Sequence, residues 1–433
     1  MRMKFNKSSQ LLLVSAASLL AAGLMTACST ATLDFVYVSS SLAAGSNSYG
    51  EIDVFEINAY SGYMRPIPAS PFPSGGRDPV AMAVSSDNGT LYVVNQLDNN
   101  IVQFLIGPDG KLYPLNTVNT PGIYPLAVAV NGSNLFVVDT FQPQSSCSLA
   151  DPCSGSVAVF PIEAASGTGS TATPAGTLGS PVTNTGNGAT YWPLTLPGTG
   201  NASHVMVPTA VNVLHGGAYV YVTAYDSSAV AANNEGSVNI CNLNASAYAG
   251  AVGYVFGFSV GSSGALTAIP NSPFKAGSLP CGIASDASGA HVYVTDYANA
   301  QVIGYSVASG ALTSLGSFSA GNQPKAIAVD PSYSFAYVAN SLDGTVSAYS
   351  IGSSGALTSL GTPYDAGQQP VAIGIDPSAN HFVFTANFLG SNVSDFEMST
   401  TAGTLINAQH SPYTSNAQPT AVAAIPNPGG PKQ

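Results

Sequence analysis

Hydrolysis of an acyl compound needs a base or nucleophile and a positive group for the developing oxyanion. The chain supplies few of either: 433 residues hold 5 His and 9 Lys plus Arg. The best catalytic set the sequence offers is His204, Arg77 and either Asp139 or Asp296. Other chemistries lack their motifs. No Gly-x-Ser-x-Gly elbow leads into a helix pattern, and no Gly-rich loop ends in Lys-Ser or Lys-Thr. The Asp-Pro-Ser and Ser-Asp-Asn-Gly segments are too short for a calcium loop of EF-hand length and read as β-turns. No Cys or Trp motif supports haem or quinone. The expectation is therefore no cofactor and no metal.

Any such set must be positioned by a repeat. The phrase "Pro, then a small-apolar run" occurs seven times, at Pro79, Pro125, Pro208, Pro280, Pro324, Pro370 and Pro419. A second run follows most copies ("LYVVN", "LFVVD", "VYVTD", "AYVAN", "FVFTAN"). A third run and a fourth, the latter after a Gly turn, complete the unit. Runs of this length, with β-branched bias and Gly, Asp-Pro or Asn-Gly turns between them, are strands. Four-stranded units at a period of roughly 45 residues are propeller blades. The seventh copy has no strands after it, while the N-terminal "DFVYVSS", "EIDVFEI" and "GYMRPIP" have no first strand before them. The spacing predicts an all-β, seven-bladed β-propeller over 35–426, with Pro419–Pro426 closing the first blade. That closure leaves no open strand edge.

In a propeller the loop into the first strand and the loop between the second and third strands share a face. Repeat spacing names the residues at that mouth. Before the prolines stand Asp78, Tyr124, Val207, Leu279, Gln323, Gln369 and Gln418; after the second strands stand Asn95, Asp139, Asp226, Asp296, Asn340 and Asn387. The predicted ligand-binding set is Asp78, Asn95, Tyr124, Gln323, Asn340, Gln369, Asn387 and Gln418. The competing reading is that the Asn and Asp side chains cap strands and hold turns. Extra length is expected on the same face at Phe141–Ser154, Asn184–Val207 and Asp226–Gly250. It would wall one side of the mouth, with Trp192 and His204 in the middle segment. His215, His291 and His381 fall at or beside the opposite-face turns, and His410 at a fourth-strand exit, so His204 is the one histidine placed near the mouth.

Charge and cysteines set the surroundings. A net charge of −12 provides no basic footprint for nucleic acid. Arg2, Lys4 and Lys7 precede the apolar run Leu11–Leu24, and "LMTACS" follows. This is a secretory signal over 1–27 with a lipobox-like end. By analogy with bacterial lipoproteins, Cys28 would carry the lipid, 28–34 would be a tether and 427–433 a tail. Cys147, Cys153, Cys241 and Cys281 then read as two disulfides. Of the three pairings, Cys147–Cys153 and Cys241–Cys281 are preferred. The expected address is the outer membrane or cell surface, with the periplasm as alternative, and the expected state is a monomer held to the membrane through the lipid alone.

"YVAN", "YVTD" and "YVVN" following "PxAIAVD"-type runs resemble the YVTN-type repeat. The whole of 35–426 resembles the lactonase-like seven-bladed propeller family, which includes 6-phosphogluconolactonases and cycloisomerase relatives. The resemblance implies the fold and raises lactone hydrolysis as an activity. Enzymatic members of that family carry His in or beside a first strand, with Arg and Glu around the channel. The first strands here hold no His. The sequence therefore favours a binding or scaffolding module at the cell envelope, taking a neutral carbohydrate-like ligand or a protein loop. A hydrolase of lactones or related sugar derivatives is the alternative.

Overall fold

Each Pro-led run forms the innermost strand of an antiparallel sheet, and seven such sheets follow one another in the chain. A computed structural model describes residues 32–41, 49–58, 61–144, 147, 153–168, 172–198, 204–229, 241, 251–332, 334–377, 382–416 and 418–427. The signal segment, Cys28 and His381 lie outside the described residues.

Blade 1 is the seam. Its inner strand Pro419–Pro426 pairs with Thr32–Ser40, in register from Asp34 opposite Pro426 to Ser40 opposite Pro419. Blades 2 to 7 begin with the inner strands Pro79–Val84, Ile123–Asn131, Met206–Val213, Pro280–Ser285, Pro324–Val329 and Pro370–Ile375. Each inner strand lies against the next, and Pro419–Pro426 touches both Pro370–Ile375 and Pro79–Val84, so the ring is closed. Inner strands crowd around the axis, which explains their Ala and Gly. Second strands are buried on both faces between blades, which explains their Val, Phe and Tyr.

The Tyr of the "YV" repeat ties blade to blade. The hydroxyls of Tyr37, Tyr92, Tyr221, Tyr293 and Tyr337 donate to the carbonyl oxygens of Gly110, Gly176, Gly310, Gly355 and Gly403 at 2.8–3.0 Å. Each acceptor belongs to the following blade. It sits at a positive φ of 68–85°, in the turn or excursion after the third strand. Phe136 and Phe384 occupy the same position in blades 3 and 7, where apolar packing alone makes the contact.

Blade 3 departs from the sequence expectation. Trp192–Pro193 is its outer strand, paired with Ser156 and Val157, and Trp192 is buried in the core. Much of the extra length falls earlier, after the third strand Ser156–Pro161, where Ile162 bridges to Leu178 and Ser166 to Thr173. This excursion packs on blade 2 through Tyr92–Gly176 and a 2.9 Å bond from the Leu178 N–H to Gln103 Oε1. Asn184–Val207 is therefore not wholly a mouth insertion, because its Trp has enough apolar area to complete the sheet.

Both disulfides have the preferred pairing. Cys147 bonds Cys153 and Cys241 bonds Cys281, with Cα separations of 5.4 and 6.1 Å. The second ties the segment after Asp226 to the inner strand of blade 5. Around it Val207, Tyr225, Leu279 and Tyr297 form a small apolar cluster beside the mouth.

Candidate active site

The mouth is built from a β-bulge repeated in all seven blades. The inner-strand Pro faces a residue at the end of the second strand, or two positions before it in blades 3 and 4, and the residue after the Pro is an extra one. In blade 2, for example, Pro79 faces Asn95 and Ala81 faces Val94. The same skip occurs at Pro125, Pro208, Pro280, Pro324, Pro370 and Pro419. A bulge adds local twist and re-aims side chains.

The residue before the Pro takes the strain. Asp78, Tyr124, Gln323, Gln369 and Gln418 have φ of +54 to +60°, a region that non-Gly residues rarely adopt. A repeated backbone bond holds four of them. The carbonyls of Asp78, Gln323, Gln369 and Gln418 accept from the N–H of Gln96, Ser341, Phe388 and Ser41 at 2.9–3.0 Å. Thr140 Oγ1 donates to the Tyr124 carbonyl at 2.7 Å. These five side chains are half-buried at the mouth. Asp78 accepts from Ser41 Oγ at 2.6 Å, and Gln323 Oε1 accepts from the Tyr297 hydroxyl at 2.8 Å.

The Asn and Asp residues at the second-strand ends point elsewhere, which corrects the predicted ligand set. Asn95, Asp139, Asp296, Asn340 and Asn387 have no exposed surface. Each tucks against a glycine three positions before the next proline: Gly76, Gly122, Gly277, Gly321 and Gly367. A Cβ there would come within 2.0–2.6 Å of the side chain. Gly122 N–H donates to Asp139 Oδ2 and Gly321 N–H to Asn340 Oδ1, both at 3.1 Å. Asp296 accepts from Leu279 N–H at 3.1 Å, and Asn387 Nδ2 donates to Ser394 Oγ at 2.9 Å. These residues clamp the entry loops, so Asn95, Asn340 and Asn387 do not line the mouth. The Gly-x-x-Pro spacing in "GRDP", "GIYP", "GSLP", "GNQP" and "GQQP" is the sequence signal for this clamp.

The four catalytic candidates are given separate partners. Arg77 grips Asp98, with its backbone N–H on Oδ2 at 2.7 Å, Nε on Oδ1 at 2.6 Å and Nη2 on Oδ1 at 2.5 Å. Asp296 serves its clamp and also accepts from Gln301 Nε2 at 3.0 Å. Asp139 is fully buried; burial pushes its carboxyl up to about 7, against weaker lowering by hydrogen bonds from Thr120 and Gly122. His204 is the accessible one. Its side chain is 35% exposed and its Nδ1 lies on Oδ2 of Asp226, whose side chain is 6% exposed. Ser228 Oγ donates to Asp226 Oδ1 at 2.6 Å and lies 3.2 Å from His204 Nδ1. Asp226 ends the second strand of blade 4, opposite Met206, and His204 stands two residues before Met206, the first residue of that inner strand. The bulge thus brings together an Asp and a His 22 positions apart in sequence.

The other histidines among the described residues, His215, His291 and His410, stand away from this face. His291 pairs through Nδ1 with Asp286 Oδ2 at 2.7 Å beside the opposite-face turn, and His215 is exposed on such a turn. His410 meets Tyr63 edge to face at 5.4 Å. One cation went unremarked in the sequence. Lys325, second in its inner strand, is half-buried, and burial lowers its ammonium pKa to about 8.

Comparison with known proteins agrees with this architecture. A candidate 6-phosphogluconolactonase from Bacteroides fragilis superposes with a TM-score of 0.64 at 18% identity, over 92% of this chain and 99% of that one. A periplasmic gluconolactonase from Pseudomonas aeruginosa gives 0.64 at 19%, over 91% and 99%. A candidate 6-phosphogluconolactonase from Bacteroides uniformis gives 0.65 at 18%, over 91% and 100%. At these identities the likeness is one of fold. Among curated protein sequences there is no match. The family model described as "Lactonase, 7-bladed beta-propeller" matches residues 35–177 and 303–421, leaving out the stretch that holds His204, Asp226 and the Cys241–Cys281 bridge. With its seven Pro-led inner strands, its "YV" repeat and that match over more than half its length, the chain belongs to the seven-bladed lactonase propeller family.

Proposed function

We propose that the protein is an exported hydrolase that opens a neutral sugar lactone at the mouth of the ring. The observation that carries this is the His204–Asp226 pair. A carboxylate on Nδ1 fixes the imidazole tautomer, so that Nε2 is the acceptor. In this reading Nε2 takes a proton from water as the oxygen attacks the lactone carbonyl. The imidazolium then returns a proton to the ring oxygen as the acyl–oxygen bond breaks, leaving a hydroxy acid. Family membership and a neighbour named as a gluconolactonase favour the lactone class. A phosphorylated lactone fits less well: Arg77 is engaged by Asp98, the chain carries a net charge of −12, and a phosphate needs several cations or free N–H groups.

A pH-stat assay over neutral and 6-phosphorylated aldonolactones tests this reading. The wild type should hydrolyse the neutral compounds faster. His204→Ala should lower kcat by about a hundredfold or more, and Asp226→Asn by roughly tenfold or more, without loss of fold. If the wild type turns over no lactone, the binding-module reading replaces it.

The "MTAC" sequence before Cys28 supports a lipid anchor, and the two disulfides suit an oxidising compartment. Thr32–Ser40 is a second strand, running from the opposite face toward the mouth. An anchor a few residues before Thr32 would therefore leave the mouth facing away from the membrane. Cys28→Ala should move the protein out of the membrane fraction or leave its signal uncleaved; a wild type recovered fully soluble and unmodified contradicts the anchor.

A further inference from the structure

The entry to blade 4 is tied to its neighbour differently from the others. In the entries to blades 3, 5, 6 and 7, an entry N–H donates to a carbonyl at the start of the preceding blade's third strand. These bonds run from Thr120 to Asn99, Ala276 to Gly253, Ala320 to Ala300 and Ala366 to Gly344, each at 2.9 Å. In blade 3 the corresponding carbonyl is that of Gly155, just before Ser156–Pro161, and it accepts from Leu194 N–H at 2.9 Å. Leu194 stands well before His204 in the chain, so this bond does not fix the stretch that carries the imidazole.

Ser154 supplies the missing tie with its side chain. Its Oγ accepts from Met206 N–H at 3.0 Å and lies 3.4 Å from the His204 carbonyl, to which it donates. The residue is buried. Gly155 N–H adds a 2.8 Å bond to the Met206 carbonyl. From the other side Ser227 donates to the Val205 carbonyl, with its N–H at 2.9 Å and its Oγ at 3.1 Å. His204, Val205 and Met206 are thus gripped between blade 3 and the end of their own second strand. The direction of the Ser154 contact is unlike that of its counterparts. At the same distance before the third strand, Asp98, Asn299 and Asp343 bond the entry of their own blade, at Arg77 N–H, Ser278 Oγ and Asn322 N–H. Ser154 reaches into the next blade. It also follows Cys153 directly, and its carbonyl accepts from Gln142 N–H at 3.2 Å, so the Cys147–Cys153 bridge closes the loop that presents its hydroxyl.

We propose that Ser154 is a positioning residue for His204, holding the imidazole on Asp226 from the neighbouring blade, and that the Cys147–Cys153 bridge acts on the site through it. The kinetic part of this proposal rests on the hydrolase reading. A general base must stay within hydrogen-bond reach of the water it deprotonates, and a misplacement of about 1 Å can cost on the order of a hundredfold. Losing a backbone tether while the Asp226 contact can still form should cost less than that. Ser154 hands no proton to the substrate, so its removal should act on turnover and spare binding.

Kinetics on a neutral aldonolactone and proton NMR test this together. Ser154→Ala should lower kcat by about five- to thirtyfold with KM within roughly twofold, and Ser154→Thr, which keeps the hydroxyl, should stay within roughly threefold of the wild type. The double variant Cys147→Ser with Cys153→Ser should lower kcat severalfold, yet add little to Ser154→Ala, because both act through one contact. The NMR arm needs no turnover. The wild type should show a hydrogen-bonded imidazole N–H resonance that is absent in His204→Ala, weakened in Ser154→Ala and restored in Ser154→Thr. A folded Ser154→Ala that keeps the wild-type kcat and resonance overturns the proposal, as does a wild type without the resonance. Additive losses overturn the part played by the bridge. A wild type that hydrolyses no lactone removes the hydrolase reading, and the resonance then decides the positioning by itself. Should Ser154→Ala not fold, Ser154→Gly carries the same expectations and the same overturning results.

Discussion

The Tyr337 hydroxyl donates a 2.8 Å hydrogen bond to the Gly403 carbonyl oxygen, across the boundary between blades 6 and 7. The donor is buried and the acceptor lies in a turn that its left-handed φ of 68° makes possible. Five such bonds are spaced around the ring, and the two boundaries that lack them have Phe instead. The bond is therefore useful but not obligatory at any one boundary.

Tyr337→Phe should accordingly cost only about 1 kcal/mol, the net value of one buried hydrogen bond, with part of that from an unsatisfied Gly403 carbonyl. Gly403→Ala should cost more. It adds a Cβ 2.3 Å from a Phe335 ring carbon and places a non-Gly residue at positive φ. Chemical denaturation of the two variants beside the wild type checks the order; a larger loss for Tyr337→Phe contradicts it.

Asp139 is expected to weaken the ring at neutral pH. Its folded pKa is raised from 3.8 to about 7. Between those values the folded state holds a proton that the unfolded state has released. Stability should therefore fall as pH rises through this window and level off above it. Blades 2, 6 and 7 place Asn at the same point and bond it to Asn100, Thr345 and Asn392 respectively. The equivalent partner of Asp139 is Ser156, and both Asp139 Oδ1 and Ser156 Oγ are buried without a hydrogen-bond partner. Asp139→Asn would supply a donor for that pair. It should stabilise the protein by on the order of 2 kcal/mol at pH 8 and flatten the pH dependence between 4 and 7. Thermal melts across pH check both; a destabilised variant at pH 8 contradicts the account.

Removal of the chain after Gln418 should unfold the whole ring rather than fray one blade. The lost strand pairs with Thr32–Ser40 and also packs against the inner strands of blades 2 and 7. Without it Val36 and Val38 lose part of their cover, and two of the hydrogen bonds lost join the ends of the chain: Thr420 Oγ1 with Ser39 Oγ at 2.9 Å and Asn427 N–H with Asp34 Oδ1 at 3.2 Å. A truncated protein that melts like the wild type contradicts the seam.

The repeat, the blade count and the closing strand were legible in the sequence because they rest on local rules. Alternation of buried residues, Gly and Asp-Pro turns, and a Pro that starts each inner strand are written within a few residues of one another. Of the disulfides, only Cys147–Cys153 is local, six residues apart; Cys241 and Cys281 are 40 residues apart and are brought together by the packing of blade 5 beside blade 4. The site was not legible in this way. Whether Asn340 enters the mouth or clamps Gly321 depends on a one-residue bulge that re-aims the strand end, and a two-residue period does not display a bulge. The partner of His204 was hidden because Asp226 approaches it only after the second strand of blade 4 has returned to the mouth. Trp192 reads as part of an insertion until Val157 is beside it. Short-range periodicity selects the blade. The long-range closure of the ring decides which polar groups are consumed in holding it together and which still face the mouth.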